Sequence, residues 1–187
     1  MTTSSEYDAH YLAIGRMLVL FQSMEATLKD GLVRLLTNNE IGSPAGQLAY
    51  ATISELSFGT ATRLASALPA AFTAVRIGSK NEESTKRLIE ALTDAEVQLQ
   101  RGIKLAAEVE QRRNQLVHSR WFISQGVVVS PGTMMRMKTK TKAGSMTVSV
   151  KPESIADVDA NTEKARQAQE LIGSALLEYY QITQYKW

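Results

Sequence analysis

Near Trp121 the hydrophobic pattern of this chain changes period, from the longest helical stripe it contains to short alternating segments. Any fold it adopts must therefore join a long amphipathic helix to a small sheet. From about Glu82 to Ser119, Leu88, Leu92, Ala95, Leu99, Ala106, Val109 and Leu116 recur at the spacing of one helix face, with Arg113 in the same stripe. Beyond it come WFIS, VVVS, a Pro131-Gly132 turn, MMRMKTKTK, an Ala143-Gly144 turn and MTVSV. These predict three short antiparallel strands within about 121–151.

Helical spacing also marks the flanks. Residues from about Glu6 to Leu36 place Ile14, Leu18, Phe21, Leu28, Leu32 and Leu35 on one stripe. Glu25 falls within it. Either Glu25 points inward, where a carboxylate needs a cation or strong donors, or Met24 takes the core position and Glu25 lies in water at its edge. Thr37 to Pro44 is a loop by composition, and Ser43-Pro44 is a helix start. The helix that follows is expected to run to about Leu68 on Leu48, Ile53, Leu56, Leu64 and Leu68. Ser57, Phe58 and Gly59 weaken its middle, Gly59 offers a close approach for another helix, and Pro69 ends or kinks it. Ile77 to Asn81 is a further turn, and His10 is expected to be exposed on the first helix. A last helix, from about Asp159 to Tyr185, carries Thr162, Ala165, Ile172, Leu176 and Tyr179. The expected fold is mainly α, a single domain over 1–187, with four main helices and a small antiparallel β-sheet inserted before the last one.

Composition narrows the function classes. A chain of 187 residues, 44% hydrophobic and 21% charged, can bury a sizeable core. With no cysteine and only His10 and His118, it has no disulfide framework and little for a metal site, and a reducing cytoplasm is the natural compartment. The N-terminus lacks a basic region followed by an apolar one, and no apolar run approaches the roughly 20 residues of a membrane span. No cofactor is called for.

The net charge of +2 conceals a segregation. Between Gln111 and Pro152 stand Arg112, Arg113, Arg120, Arg136, Lys138, Lys140, Lys142 and Lys151 with no acidic residue, leaving 13 basic against 19 acidic residues elsewhere. A basic surface of this kind suits an anion, nucleic acid being the commonest large one. A protective basic strand edge is the simpler alternative. In MMRMKTKTK the cations Arg136, Lys138, Lys140 and Lys142 alternate with Met135, Met137, Thr139 and Thr141, so they are expected to project from one sheet face as a ridge.

The chain's unusual chemistry is concentrated in EQRRNQLVHSRW, Glu110 to Trp121, where the long helix ends. Asn114 and His118, four apart, share a helix face, whereas Arg113 is about 140° round from His118. Both can line one cleft between helices or between subunits. Metal-free RNA cleavage needs a base for the 2′-hydroxyl, an acid for the leaving 5′-oxygen and fixed positive charge for the transition state. An imidazole, ordinarily titrating near pH 6.5, serves either proton transfer; a guanidinium matches two phosphate oxygens; Asn114 orients the histidine or the phosphate. Singly, each has a structural use: His118 complements the helix dipole, and Arg113 pairs with Glu25.

The string Arg113-Asn114-Gln115-Leu116-Val117-His118 resembles the motif of the HEPN superfamily (higher eukaryotes and prokaryotes nucleotide-binding), in which an arginine, often followed by a polar residue, precedes histidine with four to six residues between. Four stand between them here. Ser119 and Trp121, the end-of-helix position and the inward Glu25 and Arg113 add to the likeness, which covers roughly 6–120 and 155–186 and leaves the basic sheet as an elaboration. The resemblance implies a small helical bundle, a homodimer whose two motifs form one cleft, and a metal-independent endoribonuclease of toxin, phage-defence or RNA-processing systems. Arg113, Asn114 and His118 would be catalytic and Glu25 supporting, while Arg112, Arg120, Arg136, Lys138, Lys140 and Lys142 would bind RNA. An antitoxin or defence-system protein is the expected partner. Arg120 departs from the branch silenced by a nucleotidyltransferase, where a tyrosine stands two residues after the motif histidine. The competing classes are a non-catalytic HEPN-like RNA- or nucleotide-binding module and a helical protein-interaction protein.

Overall fold

Long helices dominate the chain because its apolar stripes continue for many turns without an interior proline. In the computed structural model, which describes residues 4–38, 40–75, 82–122, 133–142 and 145–184, these are α1 (Ser4–Thr37), α5 (Glu82–Val117) and α6 (Ile155–Gln184). Three short helices, α2 (Pro44–Ser54), α3 (Phe58–Ser66) and α4 (Leu68–Val75), lie between α1 and α5. Strands β1 (Arg120–Phe122), β2 (Thr133–Lys142) and β3 (Ser145–Ser154) form an antiparallel sheet in the order β1-β2-β3, before the last long helix. This is the mainly helical architecture with a sheet insertion that the periodicities predict. The VVVS segment and the turns at 77–81, 131–132 and 143–144 lie outside the described residues. None of the described helices is long and apolar enough to cross a membrane.

Two compact units divide the described chain. One comprises residues up to Gln22 with Glu108–Ala165, and the other Ser23–Ala107 with Arg166 onwards. In the second unit, Leu28 and Leu32 of α1, Phe58, Ala61 and Ala65 of α3, Leu92 and Leu99 of α5, and Ile172 and Tyr179 of α6 are buried. Gly102 sits where α5 meets α6: a Cβ there would stand 2.8 Å from Ile172 Cγ1 and 3.1 Å from the Ile172 backbone nitrogen, so only glycine allows the approach. The expected helix from Ser43 to Leu68 is broken instead. Ser43 caps α2, its Oγ accepting from Gly46 N at 3.0 Å, as the Ser-Pro signal predicts. Ser57 caps a new helix, its Oγ accepting from Thr60 N at 3.2 Å, because a serine hydroxyl offers the backbone a partner that competes with continued helix. Pro69 enters in the first turn of α4, where no intrahelical donor is required. Leu48, expected in the core, is 70% exposed, and apart from its own helix turn nothing described lies within 4 Å of where a Gly59 Cβ would stand.

The first unit holds the sheet. Its α1 stripe is His10, Ala13, Met17 and Phe21, rotated from the expected Ile14 and Leu18, which are only half-buried. His10, expected to be exposed, is 1% exposed and its Nε2–H donates to the Glu153 carbonyl at 3.1 Å. Strand β3 continues past Val150 because its ladder with β2 stays in register to Thr133↔Ser154. One sheet face carries Met137 opposite Val150 and Thr139 opposite Val148. The other places Met134 and Arg136 against the helices, both buried.

Helix α6 begins earlier than its apolar stripe because Ser154 and Asp157 cap it reciprocally. Asp157 N donates to Ser154 Oγ at 3.0 Å, while Ser154 N and Oγ donate to Asp157 Oδ2 at 3.1 and 2.6 Å. The serine hydroxyl first, then its backbone N–H, hold the Asp157 carboxyl below its ordinary value against the opposing effect of burial, with a lesser contribution from the charge of Arg112. A depressed carboxyl stabilises the fold above its unfolded value, and the contribution is lost as pH falls through the folded one. Ser154→Ala is expected to cost about 1 kcal/mol near neutral pH, with a smaller penalty below the carboxylate range, as thermal melts across pH will show.

Candidate functional site

Among the described residues, the hydrogen bonds that fix the end of α5 lie within the first unit. The helix must satisfy its last carbonyls, and the residues just after it do so: Ser119 Oγ donates to the Gln115 carbonyl, and Trp121 Nε1 donates to the Leu116 carbonyl at 3.1 Å. Ser119 and Trp121 thus have the local role of stopping the helix and turning it into β1. His118 N donates to the Asn114 carbonyl at 3.2 Å, closing the last turn, and the His118 side chain is exposed to solvent.

Arg113 and Asn114 are brought together. Arg113 Nη1 donates to Asn114 Oδ1 at 2.9 Å, which fixes the amide carbonyl. The guanidinium carbon lies 5.5 Å from the centroid of the Phe21 ring, in cation–π range, with Nε buried and unbonded among the described residues. The expected Glu25–Arg113 ion pair is replaced. Met24 takes the core position at 0% exposure, and Glu25 pairs with Lys29 one turn on, 2.8 Å away, both partly exposed. Lys29 Nζ also donates to the Ser54 carbonyl at 3.0 Å. Glu25→Gln is accordingly expected to cost less than about 1 kcal/mol, a shift of a few degrees at most in a melt.

The cations divide sharply. Arg112 and Arg136 both converge on Glu153, a carboxylate only 2% exposed: Arg112 Nη2 pairs with Oε1, and Arg136 Nε lies 3.3 Å from Oε2. Arg112 Nη1 also donates to Gln115 Oε1 at 3.2 Å and Arg136 Nη1 to Ser119 Oγ at 3.4 Å. Arg136 is thus 8% exposed and internal, not a member of an open ridge, because it stands on the sheet face that the helices cover. Burial first, then the neighbouring charge of Arg136, lower the Arg112 guanidinium from its ordinary value, with Asp157 opposing. Arg120 is exposed on β1 and Lys138 half-buried on β2; the side chains of Lys140 and Lys142 lie outside the described residues.

Two residues of this assembly escape a sequence reading. Glu153 is the first acidic residue after the basic run, a position that hints at a counter-charge. His10 begins the stripe that Ala13 and Met17 continue. Lys151, the last cation of the basic run, faces Arg136 across the β2–β3 ladder. No group of His, Cys, Asp and Glu suited to a metal ion occurs among the described residues. Compared with known proteins, the chain matches no family model, no curated protein and no solved structure.

Proposed function

We propose that this chain is a metal-independent endoribonuclease of the HEPN type, working in the cytoplasm on RNA as a homodimer, in the manner of a toxin or phage-defence effector with a protein partner that restrains or triggers it. The observation that carries the reading is an exposed imidazole, His118, on a firmly ended helix, one turn from an amide whose orientation Arg113 fixes. His118 of one protomer removes the proton from a 2′-hydroxyl, whose oxygen attacks the adjacent phosphorus. His118 of the partner subunit returns a proton to the departing 5′-oxygen. Arg113 and the exposed Arg120 supply permanent positive charge for the pentavalent transition state, and Asn114 offers a hydrogen bond to the imidazole or the phosphate. The Arg112–Glu153–Arg136 cluster is a positioning element that ties the end of α5 to the sheet.

A second reading, a non-catalytic RNA-binding module, draws on Arg113, whose contacts with Phe21 and Asn114 already give it internal work. Labelled RNA incubated with the protein in EDTA separates the two. Fragments ending in 2′,3′-cyclic phosphate and 5′-hydroxyl support the nuclease, whereas intact RNA with salt-dependent binding supports the module.

A further inference from the structure

The β2–β3 register brings charge together in a way the alternation of β2 alone does not. Directly opposed residues in an antiparallel pair share a face, and here Arg136 opposes Lys151, Lys138 opposes Ser149, and Lys140 opposes Thr147. With Gln115 from the last turns of α5, Arg136, Lys138, Thr147, Ser149 and Lys151 line a pocket of about 280 Å³. Like charges placed opposite one another on neighbouring strands destabilise a sheet, so Arg136 beside Lys151 calls for a counter-ion. Glu153 is the carboxylate in reach of Arg136, and it is shared with Arg112. Asp157 is engaged by Ser154 at the helix cap. Four cations, Arg112, Arg136, Lys138 and Lys151, therefore stand against two carboxylates, and the excess lies at the pocket.

We infer that this pocket is a phosphate-binding site for a single nucleotide of RNA, seated beside the motif helix. Its chemistry selects the ligand. Lysine ammoniums and a guanidinium neutralise a phosphate, while the hydroxyls of Thr147 and Ser149 and the Gln115 amide offer neutral hydrogen bonds to ester and sugar oxygens. No aromatic side chain lines it among the described residues, so the phosphate and sugar are recognised and the base is not stacked. Its volume falls just below the usual range of ligand sites, suited to a phosphate with its sugar and too small for several nucleotides. The choice of a nucleotide as carrier rests on the RNA reading above; the anion site itself does not.

The test uses the full chain with His118→Ala, so that RNA survives the measurement. Fluorescence anisotropy of oligouridylates across a salt series compares this protein with a Lys138→Gln/Lys151→Gln variant. A Lys86→Gln/Lys104→Gln variant removes equal charge elsewhere. The pocket variant is expected to bind about tenfold more weakly at low salt, with the slope of log K against log salt reduced by about 0.7, the value for neutralising one fewer phosphate of a single strand. The control variant should match the parent. Thermal shifts with inorganic pyrophosphate supply a second readout: the parent and control should rise and the pocket variant should not. Uridine monophosphate competing as well as a longer oligomer would place a terminal phosphate in the pocket, and competition by the oligomer alone would place an internal one. RNA affinity and salt slope equal in the pocket variant and the control overturn the inference while leaving RNA binding intact. Pocket-dependent pyrophosphate binding without any RNA binding overturns the RNA reading and the nucleotide assignment, but keeps the anion site.

Discussion

Replacing Glu153 by Gln is expected to lower the melting temperature by roughly 10 °C. The carboxylate is 2% exposed and faces two guanidiniums, one on α5 and one on β2, whose side chains are 20% and 8% exposed. Removing its charge leaves two like cations held together in a medium that screens them poorly, with the remaining amide unable to accept from both at full strength. Breaking a buried pair from one side typically costs about 3–5 kcal/mol, and in a chain of this length each kcal/mol moves the melt by about 3 °C. Added salt should recover little, because the pair is largely shielded from the solution. Removing the whole cluster is a different perturbation: Arg112→Met, Arg136→Leu and Glu153→Leu together are expected to melt above the Glu153→Gln single variant, since no charge is then stranded. Circular dichroism melts of the three proteins measure this. A Glu153→Gln protein melting within a degree or two of wild type would mean that the cluster is solvated and does not tie the helix to the sheet.

The residues of that cluster also show where sequence reading succeeds and stops. Periodicity locates α5 and α6 and their core positions because each side of a long amphipathic helix repeats its own evidence every turn. Ser43-Pro44 announces α2 through chemistry confined to neighbours. Phe21, Leu28 and Leu32 of α1 are buried as expected, but nearer its start the stripe lies about one residue off, since Ile14 and Leu18 outrank Ala13 and Met17 by hydrophobicity, yet the small and flexible side chains are the ones buried. Arg136 reads from sequence as part of a solvated ridge because alternation identifies a strand's two faces without saying which one a helix covers. Glu153 meets partners distant in sequence, and His10 meets the Glu153 carbonyl from the far end of the chain, so neither contact leaves a local signal. At the motif, Asn114 beside Arg113 is legible, whereas the contact of Arg113 with Phe21 is not, because sequence spacing does not specify which helices meet.

For His118→Ala the expected result is a loss of RNA cleavage by about 10²–10⁴-fold at saturating RNA, with folding and affinity nearly intact. Folding should survive because the side chain is exposed and the hydrogen bond closing the last turn comes from the His118 backbone N–H, which alanine retains. Affinity should survive because the cations Arg120, Lys138 and Lys151 remain. A loss confined to the rate constant is the signature of an interaction made in the transition state, whereas a residue used only to bind would raise the half-saturating RNA concentration and leave the maximal rate alone. If two chains share one cleft, as proposed, a sharper consequence follows. Each mixed dimer would then hold one His118 at the cleft, so wild-type protein equilibrated with an excess of His118→Ala should lose nearly all its activity, although its own residues are unchanged. If the excess leaves the wild-type rate as it was, while light scattering shows exchanged dimers, each protomer cleaves by itself and the second proton transfer belongs to another group. If purified His118→Ala cleaves RNA at the wild-type rate, the motif is not the catalytic site, and the exposed imidazole at the end of α5 serves only the helix that carries it.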